Sequence, residues 1–138
     1  MKVKLHKFIL LLFLVALVAV TALTGCNGRE GPQPFEGDAI AIGQGETVFR
    51  FEVTDRENNV TAWDVNTNEA TVGAALSAVG LIDGEETGFV TVVNGITADF
   101  NVDGSWWAFY VDGEMAMVGI YSTYVESGSI YAFVFTAG

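Results

Sequence analysis

Ser105-Trp106-Trp107-Ala108-Phe109-Tyr110-Val111-Asp112-Gly113-Glu114 is the stretch that decides the fold. Aromatic and β-branched residues fit a pleated, half-buried surface, so residues 105–111 read as a strand. Asp112-Gly113 then supplies the two residues of a tight hairpin turn. Side chains alternate across a strand, placing Trp106 and Tyr110 on one face and Trp107 and Phe109 on the other. Both faces are apolar. If a helix covers one of them, the second set either lines a groove or lies under loops and neighbouring strands.

Working outward, Met115–Val118 reads as a short strand, and Ser129–Thr136 as a longer one carrying Tyr131-Ala132-Phe133-Val134-Phe135. Gly88–Asn94 is a further strand, and Asn94-Gly95, Asp103-Gly104 and Ser127-Gly128 mark turns. Thr71–Val79 is the single predicted helix. Val72, Ala75, Leu76 and Val79 fall at i, i+3, i+4 and i+7, Gly80 can end it, and Asn68 or Thr71 can cap its start. Before it, Phe49, Phe51 and Val53 alternate with Arg50, Glu52 and Thr54, the turn Asp55-Arg56-Glu57-Asn58-Asn59 follows, and Val60–Val65 returns, which makes a hairpin. The predicted class is α+β: a β-grasp-like mixed sheet with one helix packed on one face, and Leu76, Phe51 and Phe109 in the core beneath it.

The beginning of the chain has a different character. Lys2, Lys4, His6 and Lys7 precede an unbroken apolar run from Phe8 to Val20, the order of an export signal. The run is shorter than the roughly 20 apolar residues a membrane span needs. Leu23-Thr24-Gly25-Cys26 resembles a lipobox, in which small residues admit a peptidase and the cysteine carries a diacylglyceryl thioether. Cys26 is the only cysteine, so lipidation accounts for a thiol that would otherwise be unpaired in an exported chain. The expected organisation is a signal peptide over 1–25, a lipidated Gly- and Pro-rich tether over 26–45, and one domain over 46–138. The location expected is the extracellular face of the cell membrane, with the membrane itself as a partner through the lipid on Cys26.

All three lysines lie in the signal, so the remainder sets Arg29, Arg50 and Arg56 against 17 acidic residues. Three scattered arginines form no phosphate-binding patch, and no nucleic-acid partner is expected. The one histidine, His6, also precedes the domain, which removes the usual ligands for zinc, copper or haem and the usual base of a Ser-His or Cys-His nucleophile. Asp64-x-Asn66-x-Asn68 starts like a calcium loop, but Glu69 stands where that loop has Gly and Ala75 where it has an acid, so a polar strand-to-helix turn is the better reading. Asp112 and Glu114 are explained by their turn without acid–base chemistry. No enzyme, metal site or resident cofactor is expected.

The run from Phe49 through Ala74-Ala75-Leu76, Gly88-Phe89-Val90, Val93-Asn94-Gly95-Ile96, Trp106–Glu114 and Gly119-Ile120 to Gly128-Ser129-Ile130 resembles the transcobalamin-like C-terminal domain family. The tryptophan-bearing strand entering Val111-Asp112-Gly113-Glu114 is the most specific part. Asp112 stands where the family has Asn, and Ser129 where it usually has Asp. The resemblance implies a β-grasp fold, found in bacterial surface lipoproteins and in the smaller domain of animal cobalamin carriers. It further implies that such a domain closes over one face of a corrin, and the positions carried over are Trp107, Val118, Gly119, Ile120 and Tyr121. Cobalamin or another planar corrinoid is therefore the expected ligand. A second surface binding protein could then enclose the ligand's other face. The alternative is a protein-interaction or adhesion module using the same aromatic surface without a small ligand.

Overall fold

The computed structural model describes residues 31–84 and 89–138. The expected export signal and Cys26 lie outside the described residues. Within them the chain forms a mixed α+β structure built on a six-stranded sheet.

The expected hairpin is present as β2 (Thr47–Thr54) and β3 (Val60–Thr67), in antiparallel register with Phe51 opposite Trp63. Its turn forms because the Asp55 carboxylate accepts hydrogen bonds from the backbone N–H of Glu57 (2.9 Å) and of Asn59 (2.8 Å), while Asn58 takes φ 65°. Helix α1 (Val72–Ala78) starts at Thr71, whose hydroxyl accepts from the Ala74 N–H at 3.3 Å. It buries Val72, Ala75 and Leu76 against the sheet.

The strand β7 (Trp106–Val111) turns through Asp112 (φ 48°) and Gly113 (φ 82°) into β8 (Glu114–Met115), the paired positive φ values that a two-residue hairpin loop requires. On its other side β7 lies beside β9 (Ile130–Thr136), which runs antiparallel to β7 and parallel to β2. The expected strand Met115–Val118 is shorter and earlier than predicted. After the Ala116 N–H bonds to the Phe109 carbonyl (2.9 Å), the chain leaves the edge and enters a 3₁₀ turn at Ile120–Ser122.

Three further expectations are corrected. Beside α1 there is a second, one-turn helix α2 (Phe100–Asp103), in which Asp99 caps Asn101 N–H at 3.0 Å and Gly104 (φ 72°) ends the turn; Asp103-Gly104 is thus a helix end. Four residues are too few for helical periodicity to register in the sequence. Of the predicted strand Gly88–Asn94, only Val92–Val93 (β5) is strand among the described residues. It pairs with β4 (Ile82–Asp83) and β6 (Ile96–Thr97) in a separate three-stranded sheet. Finally, the segment read as tether supplies β1 (Ile40–Gly43), which pairs in parallel with β3, so the main sheet runs β1-β3-β2-β9-β7-β8.

The two faces of that sheet are closed by different means. Phe49, Phe51, Trp63, Val65, Trp107, Tyr131 and Phe133 face α1 and the small sheet and form the core. On the opposite face the small residues Ala62 and Ala132 flank Glu52 from the neighbouring strands, Ala108 lies one strand further on, and all four are buried. Residues 31–35 cross this face: the Phe35 N–H donates to Glu52 Oε1 (3.0 Å), and Arg50 donates to the Phe35 carbonyl (3.3 Å) and to Asp64 Oδ1 (3.2 Å). A buried carboxylate needs such partners, and part of the expected tether supplies them.

Candidate functional site

The small sheet and α2 sit over the end of β7 and enclose a cleft of about 750 Å³. Trp107, only 6% exposed, forms its floor and packs edge-to-face on Phe135, with ring centroids 5.2 Å apart. Val90 and Ala98 contribute apolar wall, and Phe89, Phe100 and Trp106 stand exposed around the mouth. Its volume falls within the usual range for small-molecule sites, and its lining is largely apolar, with Asp99 and Ser105 among the polar groups.

Arg56 holds these pieces together. From the β2–β3 turn it donates to the Thr97 carbonyl at 2.8 Å, lies 3.8 Å from an Asp103 oxygen, and places its guanidinium 4.4 Å from the Phe135 ring centroid. The cation sits on the aromatic stack that carries Trp107. Ser105, buried between α2 and β7, accepts from the Asp99 N–H (3.0 Å) and hydrogen-bonds Asp103 through both its hydroxyl and its N–H. Those bonds, the hydroxyl foremost, hold the Asp103 carboxyl below its ordinary range. The Trp107 indole N–H is buried with no hydrogen-bond partner among the described residues.

A second cleft of about 1060 Å³ lies between α1, β4 and the 3₁₀ turn. Its lining includes Tyr121 beside the polar side chains of Glu69, Thr71, Ser77 and Asp83. The Tyr121 hydroxyl and Ser77 Oγ are 2.9 Å apart, and a side chain at Gly73 would run into the Tyr121 ring.

The five positions carried over from the family resemblance are therefore distributed. Trp107 is the floor of the aromatic cleft, and Tyr121 lines the polar one. Ile120 is buried in the same core as Trp107, whereas Val118 and Gly119 are exposed and line neither cleft. The sequence carries no signal for Phe100, a lone exposed aromatic in a polar stretch, or for Ala98, a small residue outside any periodic run. The calcium-like triplet has structural employment: Asp64 pairs with Arg50, the Asn66 amide donates to the Ile42 carbonyl (3.4 Å), and Asn68 accepts from the Glu46 N–H (3.0 Å). Asp112 accepts from the Ile130 N–H at 2.8 Å. Among the described residues no cluster of three or more His, Cys, Asp or Glu is placed to hold a metal ion, and no helix is long and apolar enough to cross a membrane.

Comparison with known proteins gives the setting. Residues 69–131 match the model of a domain of unknown function (DUF4430). Among curated proteins, none matches the chain. The fold is similar to that of a provisionally named metal binding protein from Ruminococcus gnavus, with a TM-score of 0.63 at 24% identity over 67% of this chain and 99% of that one. Haptocorrin in complex with Cbi is a more distant structural neighbour, with a TM-score of 0.47 at 21% identity over 66% of this chain and 25% of that one.

Proposed function

We propose that this chain is a membrane-anchored extracellular lipoprotein whose domain, a β-grasp-like member of the transcobalamin-like group, binds a flat, largely apolar ligand in the aromatic cleft. The observation that carries the reading is the cleft itself: a Trp107 floor ringed by the exposed Phe89, Phe100 and Trp106 in a volume of small-molecule size. Rigid aromatic rings offer wide apolar area at low entropic cost, and a planar ligand presents a matching surface. A corrinoid is the first ligand to test, because the strand containing Trp106 and Trp107 is the part of the sequence with the most specific resemblance to that family. The cleft is open, so much of a corrinoid would stay in water, and a second surface protein enclosing its other face would add affinity. Phe89 (93% exposed) and Phe100 (71%) also favour a second reading, in which the same rim docks on a protein partner.

Calorimetry on the chain from Asn27 to Gly138 tests both. The expected dissociation constant for a corrinoid is on the order of micromolar, about −8 kcal/mol, and Trp106→Ala should weaken it without lowering thermal stability. With no histidine in the domain to reach the cobalt, the corrinoid's visible spectrum should stay nearly unchanged. Several corrinoids at high concentration giving neither heat nor thermal protection would end the small-ligand reading and leave the protein-docking one. Anchoring is tested separately by fractionation: Cys26→Ser should shift the protein from the membrane to the medium or leave it as precursor. A processed variant that stays membrane-bound would overturn the lipobox.

A further inference from the structure

The place where the chain leaves the sheet toward Cys26 is next to its edge strand. Gly31 lies against the Gly113 carbonyl so closely that any side chain there would clash, and Pro32, Gln33 and Pro34 share a shallow groove of about 620 Å³ with Tyr110 and Met115. Only residues 27–30 separate Gly31 from Cys26. Whatever their conformation, a chain of that length reaches at most about 18 Å. Just past the β7–β8 turn, three apolar side chains are open to solvent within four residues: Met115 at 49%, Met117 at 95% and Val118 at 57%. Among the described residues, only the groove of residues 32–34 reaches this cluster, at Met115, and leaves it open. An apolar cluster left in water is a docking surface or a liability, and the nearest apolar phase is the bilayer holding the Cys26 lipids.

We infer that Met115, Met117 and Val118 enter the headgroup–acyl boundary of the membrane, giving the domain a second contact beside its lipid anchor and so a fixed orientation on the surface. This rests on the lipidated Cys26 of the proposed function. Interfacial segments typically bury their apolar side chains about 5–10 Å into that boundary. The lipid holds these side chains at high effective concentration near it, so a contact too weak to recruit a free protein suffices to orient a tethered one. The surrounding charge does not help. Glu114 is exposed beside the cluster and the domain is strongly acidic, so the contact is apolar and should be best on zwitterionic lipid.

Because Cys26 is the only native cysteine and its sulfur carries the lipid, one introduced cysteine can be spin-labelled uniquely. The lipidated protein carrying Met117→Cys, reconstituted on phosphatidylcholine vesicles, is compared with one carrying Asn58→Cys. Asn58 lies in the β2–β3 turn at the opposite end of the strands. The label at 117 should collide several-fold less with a water-soluble nickel complex, and more with oxygen, than the label at 58. Equal nickel access at the two positions, on vesicles that the protein demonstrably floats with, overturns the second contact and leaves the lipid anchor standing. Failure of the protein to float at all instead overturns the lipidation on which it rests. Since Met117 is almost fully exposed, the melting temperature should not move, and an unchanged thermal transition certifies the labelled chain as folded.

Discussion

Tyr131→Phe isolates one hydroxyl whose removal has a calculable consequence. Tyr131 is 1% exposed on β9, its ring edge-on to Phe49 at 5.2 Å and stacked on Phe109 at 6.4 Å. Phenylalanine keeps those contacts. What disappears is a hydroxyl that donates to the Tyr124 carbonyl (3.0 Å) and accepts from the Glu126 N–H (3.0 Å), pinning the loop between the 3₁₀ turn and β9. A fully buried group left without its partner costs about 1–3 kcal/mol; Tyr124 is exposed, so water can replace part of the loss, and the net cost should be about 1–2 kcal/mol. For a domain of this size each kcal/mol lowers the melting temperature by roughly 4–8 °C. The pH dependence supplies a second signature. Burial raises the Tyr131 phenol above its ordinary 10.0. The folded state therefore holds that proton more tightly than the unfolded chain, so its stabilisation is complete below about pH 10 and is lost as pH rises through the folded value. The phenylalanine variant has no such proton to lose, and its deficit relative to the parent should shrink in alkali. Paired thermal melts from pH 7 to 11 measure it, and a deficit constant across that range would refute the assignment of a buried, hydrogen-bonded phenol.

Three further outcomes are expected. Leu76→Ala opens a cavity under α1 where the side chain is wholly buried, and should cost about 2–5 kcal/mol in denaturant unfolding; a change within error would mean the helix packs by another face. A chain beginning at Gly45 lacks β1 and the segment over Glu52, so it should melt well below one beginning at Asn27; equal melting would show those residues to be dispensable. Gly73→Ala should push the Tyr121 ring off α1, seen as a lowered melting temperature and faster amide exchange at residues 120–123, and unchanged exchange there would show that the 3₁₀ turn yields without cost.

The parts of the fold legible in the sequence were those written by local chemistry. The alternation at Phe49, Phe51 and Val53, the spacing of Val72, Ala75 and Leu76, and the Asp112-Gly113 pair each specify their element within a few residues. The role of residues 31–43 was not legible. Four residues of strand, and a backbone amide satisfying a buried carboxylate 17 positions away, depend on partners that the local pattern does not name. The site divided for the same reason. Trp107, Ile120 and Tyr121 carry similar apolar character in sequence, yet the crossing of the small sheet over β7 and of the 3₁₀ turn beneath α1 sends them to a cleft floor, the core and a separate cleft.

The position of β9 sets the order in which this molecule can come into being. Residues 130–136 form the latest strand in the described sequence, yet they stand in the middle of the sheet, with β2 on one side and β7 on the other. A chain emerging from its N-terminus thus presents a finished hairpin, a helix and an aromatic strand that have no common centre until Thr136 arrives. During that interval two strand borders rich in phenylalanine and tryptophan stand open, a state prone to pairing with neighbours. Until residues 130–136 join them, the β2 and β7 borders stay unpaired, so completion of the main sheet waits on β9.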